Sequence, residues 1–224
     1  MAGRTHPRVL SHAVGRVGGV VFNLASLVFP ARCPGCGVEA EPVCTTCRST
    51  VRVAPNLAIP VGLDSLVVPF AYDGIVRELV ARAKYRQRHA ALDWLAGEMV
   101  AVLAPKADRI DVVTWAPTTA RRRRNRGFDQ AEVLAARIGS GLGTPVRPRL
   151  RRRSGAAQTG ANRATRAHRP EFVPLASPRP SHAHESVLVV DDVVTTGATM
   201  VAAARALRQG GANRVIGAAA ARRA

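Results

Sequence analysis

The sequence predicts an α/β domain with a mainly parallel sheet flanked by helices, preceded by a small cysteine-bearing module. Three observations support this expectation. From about residue 56 onwards, short apolar runs bounded by turn residues alternate with segments of helical periodicity, the pattern of strands and covering helices. All the cysteines fall between positions 33 and 47, as two C-x-x-C pairs. Near the end of the chain an apolar V-L-V-V run closes on two adjacent aspartates, and T-T-G-A-T then leads into a helical pattern.

The chain has 224 residues, of which 47% are hydrophobic. That is enough for one substantial core and a small accessory module. The composition divides into an N-terminal extension over 1–29, a cysteine module over 30–55 and the α/β domain over 56–224. The 33 basic and 15 acidic residues leave a net charge of +18, an excess compatible with a polyanionic partner or phosphorylated ligands. Lysine occurs only at Lys84 and Lys106, so this charge is almost entirely arginine in an alanine-rich chain. Compositional bias accounts for the total equally well, and only the positions of the clusters are informative. Val17 to Phe29 form an apolar run behind Arg4, Arg8 and Arg16. It is too short to span a bilayer, and Pro30-Ala31-Arg32 before Cys33 is a poor cleavage site. This run is expected to be a helix packed on the protein, and the absence of cysteines elsewhere suits a reducing cytoplasm.

The elements follow in order. Leu66 to Tyr72 reads as a strand. Asp73-Gly74 opens a helix with Ile75, Leu79 and Ala83 on one face, and Ala90 to Leu103 is a second helix. Asp111 to Trp115 is a short buried strand, followed by Pro117 and a polar, arginine-rich loop. Phe128, Ala131, Leu134 and Ile138 then repeat at helical spacing up to Gly139. Pro145 to Leu150 is a candidate short strand. Arg151 to Pro170 shows no apolar face and reads as a functional loop or a disordered excursion. Val187 to Val190 is a buried strand, Ala198 to Gln209 a helix stopped by Gly210-Gly211, and Arg214 to Ala220 a strand, a β-α-β unit expected to cross over right-handedly.

The cysteines stand as C-P-G-C and C-T-T-C: Cys33, Cys36, Cys44 and Cys47. Two such knuckles supply the four soft ligands that tetrahedral zinc prefers, which implies a closed structural Zn²⁺ site. A pair of redox dithiols is the competing reading. Neither pair sits at the mouth of a β-α unit, where a thioredoxin-like motif belongs. The histidines form no group at ligand spacing.

At the end of the Val187 to Val190 run, the strand's carboxyl edge meets a helix N-terminus, where backbone N–H groups are available to an anion. Thr195, Thr196 and Thr199 add hydroxyls, and Gly197 permits close approach of the backbone to a phosphate. Asp191 and Asp192 cannot hold an anion. They suit the vicinal hydroxyls of a ribose, or a Mg²⁺ bridging ribose and pyrophosphate. No G-x-x-x-x-G-K-[ST] occurs in the chain, which excludes a P-loop.

This segment resembles the signature of type I phosphoribosyltransferases. By that resemblance Asp191 and Asp192 hold the ribose hydroxyls of phosphoribosyl pyrophosphate, and Thr195, Thr196, Gly197, Ala198 and Thr199 wrap its 5′-phosphate. Four stretches together, F-P-A-R-C-P-G-C, Y-D-G-I-V-R-E-L-V-A-R-A-K-Y, R-G-F-D-Q and D-D-V-V-T-T-G-A-T, resemble the ComF family of competence-associated proteins. In that family a small zinc module precedes a phosphoribosyltransferase-like domain. The resemblance implies a type I phosphoribosyltransferase fold, a Mg²⁺-bound phosphoribosyl pyrophosphate ligand, and a link to single-stranded DNA and the DNA-uptake machinery. It places the pyrophosphate at the loop containing Pro117 and Thr118, with Arg126 and Lys84 nearby, under a hood containing Gln158, Arg163 and Arg166. Arg121 to Arg124 read equally as pyrophosphate ligands or as a solvated basic run, and Lys84 would also oppose a helix dipole. Asp129 replaces the Asn usual in R-G-F-N-Q, which puts any contact through that amide's NH₂ in doubt.

Three function classes remain open. A phosphoribosyltransferase would displace pyrophosphate from C1 of the ribose by an acceptor that no motif identifies. A sensor would bind the same ligand without turnover. A nucleic-acid binder would use the arginine clusters at 121–126 and 147–153, although aromatics are only 4% of the chain and stacking platforms are correspondingly sparse.

Overall fold

A computed structural model describes residues 32–33, 35–40, 43–56, 58–83, 89–153, 170–175 and 185–223. The N-terminal run, Lys84, and the hood residues Gln158, Arg163 and Arg166 lie outside the described residues. Residues 31–224 form one compact unit. Its elements are α1 (Thr45–Ser49), β1 (Ser65–Val67), β2 (Phe70–Ala71), α2 (Gly74–Arg82), α3 (His89–Leu103), β3 (Val112–Trp115), α4 (Ala120–Arg126), α5 (Gln130–Leu142), β4 (Leu150–Arg152), β5 (Phe172–Pro174), β6 (Ser186–Val194), α6 (Ala198–Gln209) and β7 (Arg214–Arg222). No helix among the described residues is long and apolar enough to cross a membrane.

The main sheet has five strands in the order β1-β7-β6-β3, with β2 also pairing with β7. Every pairing in it is parallel. The fold is therefore α/β with a parallel sheet, as the alternating pattern predicts. Both faces are covered. Leu188 and Val190 of β6 join Ile216, Ala218 and Ala220 of β7 in a core shared with α2, α3 and α5. Val187, Val189, Val215 and Ala219 point to the opposite face, beneath Met200, Ala203, Ala206 and Leu207 of α6. This two-sided burial explains why the strands read as unbroken apolar runs rather than as alternating ones.

Several boundaries differ from the sequence reading, each for a local reason. The strand expected over Leu66 to Tyr72 is broken into β1 and β2 at Val68-Pro69, since proline has no N–H for the ladder. The arginine-rich segment after Trp115 forms a helix, α4, rather than a loop. Thr119 caps its first turn by accepting from the Arg122 N–H at 3.2 Å, and Gly127 closes it in the left-handed conformation at φ 78°. The last strands are longer than expected. β6 runs to Val194 and β7 to Arg222 because they pair with each other over almost their whole length. The 145–150 stretch contributes a parallel bridge from Val146 to Val113, and the strand proper begins at Leu150. There β4 pairs antiparallel with β5.

The cysteine segment packs directly on the sheet domain. Cys33 and Val43 are buried in the same core as Ile75, Val76 and Leu79 of α2. Gly35 sits so close that a Cβ on it would lie 2.7 Å from Cys47 Sγ and 2.8 Å from Ile75 Cδ1. Two ion pairs on the rim, Arg48 with Glu98 and Arg52 with Asp73, tie the segment to α3 and to the N-cap of α2. Such exposed pairs contribute little because solvent screens them, so the buried contacts hold the interface.

Candidate functional site

The cysteine cluster is built from two short motifs. Cys33 begins a knuckle in which its N–H donates to the Val38 carbonyl at 2.8 Å and its carbonyl accepts from Gly37 at 2.9 Å. Cys44 caps α1, its Sγ accepting from the Cys47 N–H at 3.3 Å. All four sulfurs lie within 4.8 Å of one another. Tetrahedral Zn–S bonds of about 2.3 Å require sulfurs roughly 3.8 Å apart, so the four could bind zinc with little adjustment. The charge distribution favours a cation there. Burial raises the Cys33 thiol, but backbone N–H groups from Cys36, Cys44 and Gly35 outweigh it and bring the thiol down to about 6. Cys47 is pushed up to about 12, first by its hydrogen bond to Cys33 and then by burial. The Cys33 thiolate forms readily, and its hydrogen bond with Cys47 suppresses that of Cys47.

The second site lies on the carboxyl edge of the sheet. β3 ends opposite Val190, at the Trp115 pairing, while β6 continues for four residues beside β7 alone among the described strands. Asp191 and Asp192 stand on this overhang, within the strand rather than in the loop after it. Without a β3 partner, the Asp192 N–H donates to Asp191 Oδ1 at 2.9 Å and the Val193 N–H to Asp192 Oδ1 at 2.8 Å. Each carboxylate is thus fixed through one oxygen. Burial, followed by the charge of Asp192, holds the Asp191 carboxyl well above the usual carboxylate range, and Asp129 adds to the effect. Oxygen donors concentrated in this way match a hard cation or sugar hydroxyls.

The chain then turns through Thr195 and Thr196, both exposed, and Gly197 at φ 76° into α6. No side chain caps this helix, so its first turn presents N–H groups to the site, where the helix dipole favours an anion. Thr196 Oγ1 makes only a long contact, 3.4 Å, to the Ala198 N–H. A side chain at Gly197 is disfavoured on two grounds. Its φ disfavours a side chain, and a Cβ would meet Pro60 Cγ at 3.0 Å.

Across the overhang lies the loop from Ala116 to Thr119, joined to β6 by the Ala116 N–H donating to the Val190 carbonyl at 2.9 Å. Pro117 and Thr118 are half-buried beside it. Asp129 is buried and accepts two backbone N–H groups, from Thr118 into Oδ2 at 2.8 Å and from Ala131 into Oδ1 at 3.1 Å. The doubt raised by its replacement of Asn is resolved by this geometry. Both partners are donors, and an amide would turn its NH₂ toward one of them. Burial raises the Asp129 carboxyl, against the opposing pull of the Thr118 and Ala131 N–H groups. Arg126 is half-buried and donates to Gln130 Oε1 at 2.9 Å. Arg121 to Arg124 are exposed on α4, with Arg123 paired to Glu132 at 3.1 Å.

The structure brings together Asp191, Asp192, the Thr195 to Thr199 turn, and the Pro117-Thr118 loop. It adds one residue that the sequence reading did not single out. Arg152 of β4 donates to the Pro117 carbonyl at 3.3 Å and lies over the Phe172 ring at 5.5 Å. Desolvation lowers its pKa and Arg122 adds to this, while Asp191 and Asp129 oppose. The available signal was strand alternation, since Arg152 is half-buried between exposed Arg151 and Arg153.

Comparisons with known proteins give one family model and a set of distant structural likenesses. The family model described as the phosphoribosyl transferase domain matches residues 125–224, just under half of the chain. That stretch holds the overhanging carboxylates and the turn into α6, and the α/β fold with its parallel sheet is the type I phosphoribosyltransferase fold. Among solved structures, the chain is similar to a purine phosphoribosyltransferase from Pyrococcus horikoshii, with 18% identity and a TM-score of 0.35, over 56% of this chain and 72% of that one. It is also similar to an APRTase from Giardia lamblia complexed with 9-deazaadenine, with 15% identity and a TM-score of 0.38, over 79% and 95%. Glutamine phosphoribosylpyrophosphate amidotransferase from B. subtilis shows 18% identity and a TM-score of 0.41, and the match spans 63% of this chain but only 30% of the amidotransferase. No curated protein matches the sequence.

Two predictions follow from the two clusters. Metal analysis of protein purified without added metal should find about one zinc per chain, and chelation should strip protection from residues 32–50 and loosen α2 through Ile75. Absence of zinc in folded protein contradicts this. For Asp191 the sign is set by its raised titration. Protonated Asp191 stabilises the ligand-free fold, and that contribution is lost as pH rises through its folded-state pKa. Asp191→Asn should therefore raise the Tm near pH 7, about 2–4 °C for each kcal/mol recovered, with the gain vanishing in acid. An unchanged Tm at neutral pH would contradict the account.

Proposed function

We propose that the chain binds Mg²⁺-phosphoribosyl pyrophosphate at the carboxyl edge of its sheet. The observation that supports this reading is the continuity of Asp191 and Asp192 on the β6 overhang with an uncapped helix N-terminus two turn residues and one glycine further on. A ligand with hydroxyls at one end of a sugar and a phosphate a few ångströms away fits that sequence of donors and acceptors. In this reading Asp191 and Asp192 accept from the ribose hydroxyls. The backbone and hydroxyls of Thr195, Thr196, Gly197, Ala198 and Thr199 hold the 5′-phosphate. The pyrophosphate lies toward Pro117, Thr118 and Arg126, with Lys84 as a further ligand.

Mg²⁺ would neutralise pyrophosphate charge and is compatible with the oxygens of the two carboxylates. Transfer would form a bond from an acceptor nucleophile to C1 of the ribose while the C1–O bond breaks and its electron pair leaves on the pyrophosphate. The protein's part is to orient the sugar and stabilise the departing charge through Arg126 and Arg152. The acceptor decides whether the chain is a salvage-type transferase or a sensor that holds the ligand without turnover. Residues 30–55 would be its zinc-ribbon module and 56–224 its phosphoribosyltransferase-like domain, in the arrangement of ComF-like proteins.

A second reading concerns DNA. Arg121, Arg122 and Arg124 on α4, with Arg151 on β4 and Arg153 just after it, are exposed cations. They favour a role in single-stranded DNA handling during uptake, with binding governed by phosphate contacts.

Calorimetry with Mg²⁺ and phosphoribosyl pyrophosphate tests the first reading. Wild-type protein should bind, and Asp191→Ala with Asp192→Ala should lose at least about tenfold in affinity, consistent with more than one charge-assisted hydrogen bond. Equal binding by the two proteins would overturn the site. Pyrophosphate release with any base or amine acceptor selects transferase over sensor. For the second reading, affinity for a single-stranded oligonucleotide should fall more than tenfold between about 50 and 200 mM salt, and salt-independent binding would exclude it.

A further inference from the structure

Asp129 and Gln130 open α5 as adjacent, buried polar residues, each 3% exposed. They lie one residue beyond the turn at Gly127-Phe128 that reverses the chain after α4. Burial of this kind is costly unless every polar atom is used, and the use each makes of its atoms points outward to a neighbouring element. Asp129 spends one oxygen on capping α5 at the Ala131 N–H and the other on the Thr118 N–H, eleven residues earlier. Gln130 accepts from Arg126 Nη1 at 2.9 Å and donates through Nε2 to the Val80 carbonyl at 3.3 Å. Val80 lies in the last turn of α2. The neighbouring carbonyl, that of Leu79, is already taken by the Ala83 N–H at 2.8 Å.

The dipeptide therefore ties three separate pieces together: the Pro117-Thr118 loop, the Arg126 guanidinium and the C-terminal turn of α2. We infer that Asp129 and Gln130 are positioning residues for the pyrophosphate half of the ligand site, fixing the Thr118 peptide and the Arg126 guanidinium before ligand arrives. The inference rests on the functional reading above. It goes beyond that reading by giving a role to two residues that need not touch the ligand.

Pre-set donors cost less to organise on binding than mobile ones. The arrangement also explains why a carboxylate is tolerated close to where pyrophosphate would lie. Its negative charge disfavours the ligand electrostatically, and the gain from holding Thr118 must exceed that penalty. Electrostatics alone and positioning thus make opposite forecasts for removal of the charge, which makes the inference testable.

Asn caps helices as well as Asp does, so Asp129→Asn keeps α5 capped, removes the charge and breaks only the bond to Thr118. Gln130→Leu frees Arg126 and the Val80 carbonyl without touching Thr118. Titration of each variant with Mg²⁺-phosphoribosyl pyrophosphate and, separately, with ribose 5-phosphate divides the site into halves. We expect each variant to lose about tenfold in affinity for phosphoribosyl pyrophosphate, the worth of one hydrogen bond to a charged group. Affinity for ribose 5-phosphate should be unchanged within twofold.

A merely structural defect would weaken both ligands together, and that result overturns the inference. So does tighter or unaltered phosphoribosyl pyrophosphate binding in Asp129→Asn, which would mean that its charge, not its hold on Thr118, governs the site. If one variant fails to fold, the other decides the question. Wild-type protein that binds neither ligand overturns the functional reading and this inference with it. Wild-type protein that binds both, with variants indistinguishable from it, overturns the positioning role alone.

Discussion

Parallel pairing between β6 and β7 is the constraint on which the rest of the molecule depends. Eight registered pairs from Ser186–Arg214 to Val194–Arg222 hold β6 in line well past the end of β3. Because β7 supports it on one side and no described residue pairs with it on the other, β6 can present Asp191 and Asp192 at a fixed height above the sheet edge. The energy for this comes from the apolar residues below. Leu188, Val189 and Val190 are fully buried between the two cores, and each such side chain contributes about 1.5–3 kcal/mol relative to exposure. Against that background, crowding two carboxylates at one strand tip is a local cost that the fold can sustain. Burial of the Asp191 carboxyl, with the charge of Asp192 beside it, raises its titration and is part of that cost.

Around the overhang the site divides into two halves of different character. The turn into α6 is built from backbone and small side chains, with little freedom and no charge of its own. The opposite half, from Pro117 to Arg126 and across to Arg152, is held by side-chain hydrogen bonds between elements distant in sequence. The first half is a cradle dictated by local sequence. The second is an assembled surface whose geometry depends on tertiary contacts.

That division also explains which parts of the molecule were legible in the sequence. The T-T-G-A-T turn, the two cysteine knuckles and the closing β-α-β unit are local patterns whose physics lies within about fifteen residues. α4 escaped because its arginines have no apolar periodicity. It is held instead by the Thr119 cap and the left-handed Gly127. The reach of β6 escaped because aspartates are poor strand formers, and pairing with the small-residue run of β7 overrides that preference. Arg152 was hidden in a run of three arginines, and only its hairpin with β5 decides which one turns inward. Asp129 read as a departure from a motif. Its two backbone donors, one from eleven residues away, make the carboxylate the better fit.

Hydrogen exchange with and without Mg²⁺-phosphoribosyl pyrophosphate tests the central claim most directly, because it reads backbone N–H groups along the whole chain at once. The account predicts slowed exchange at residues 192–200 and, more weakly, at 116–119, with the cysteine segment unaffected. Protection confined to the arginine-bearing helix at 120–126, with residues 192–200 exchanging as before, would contradict it.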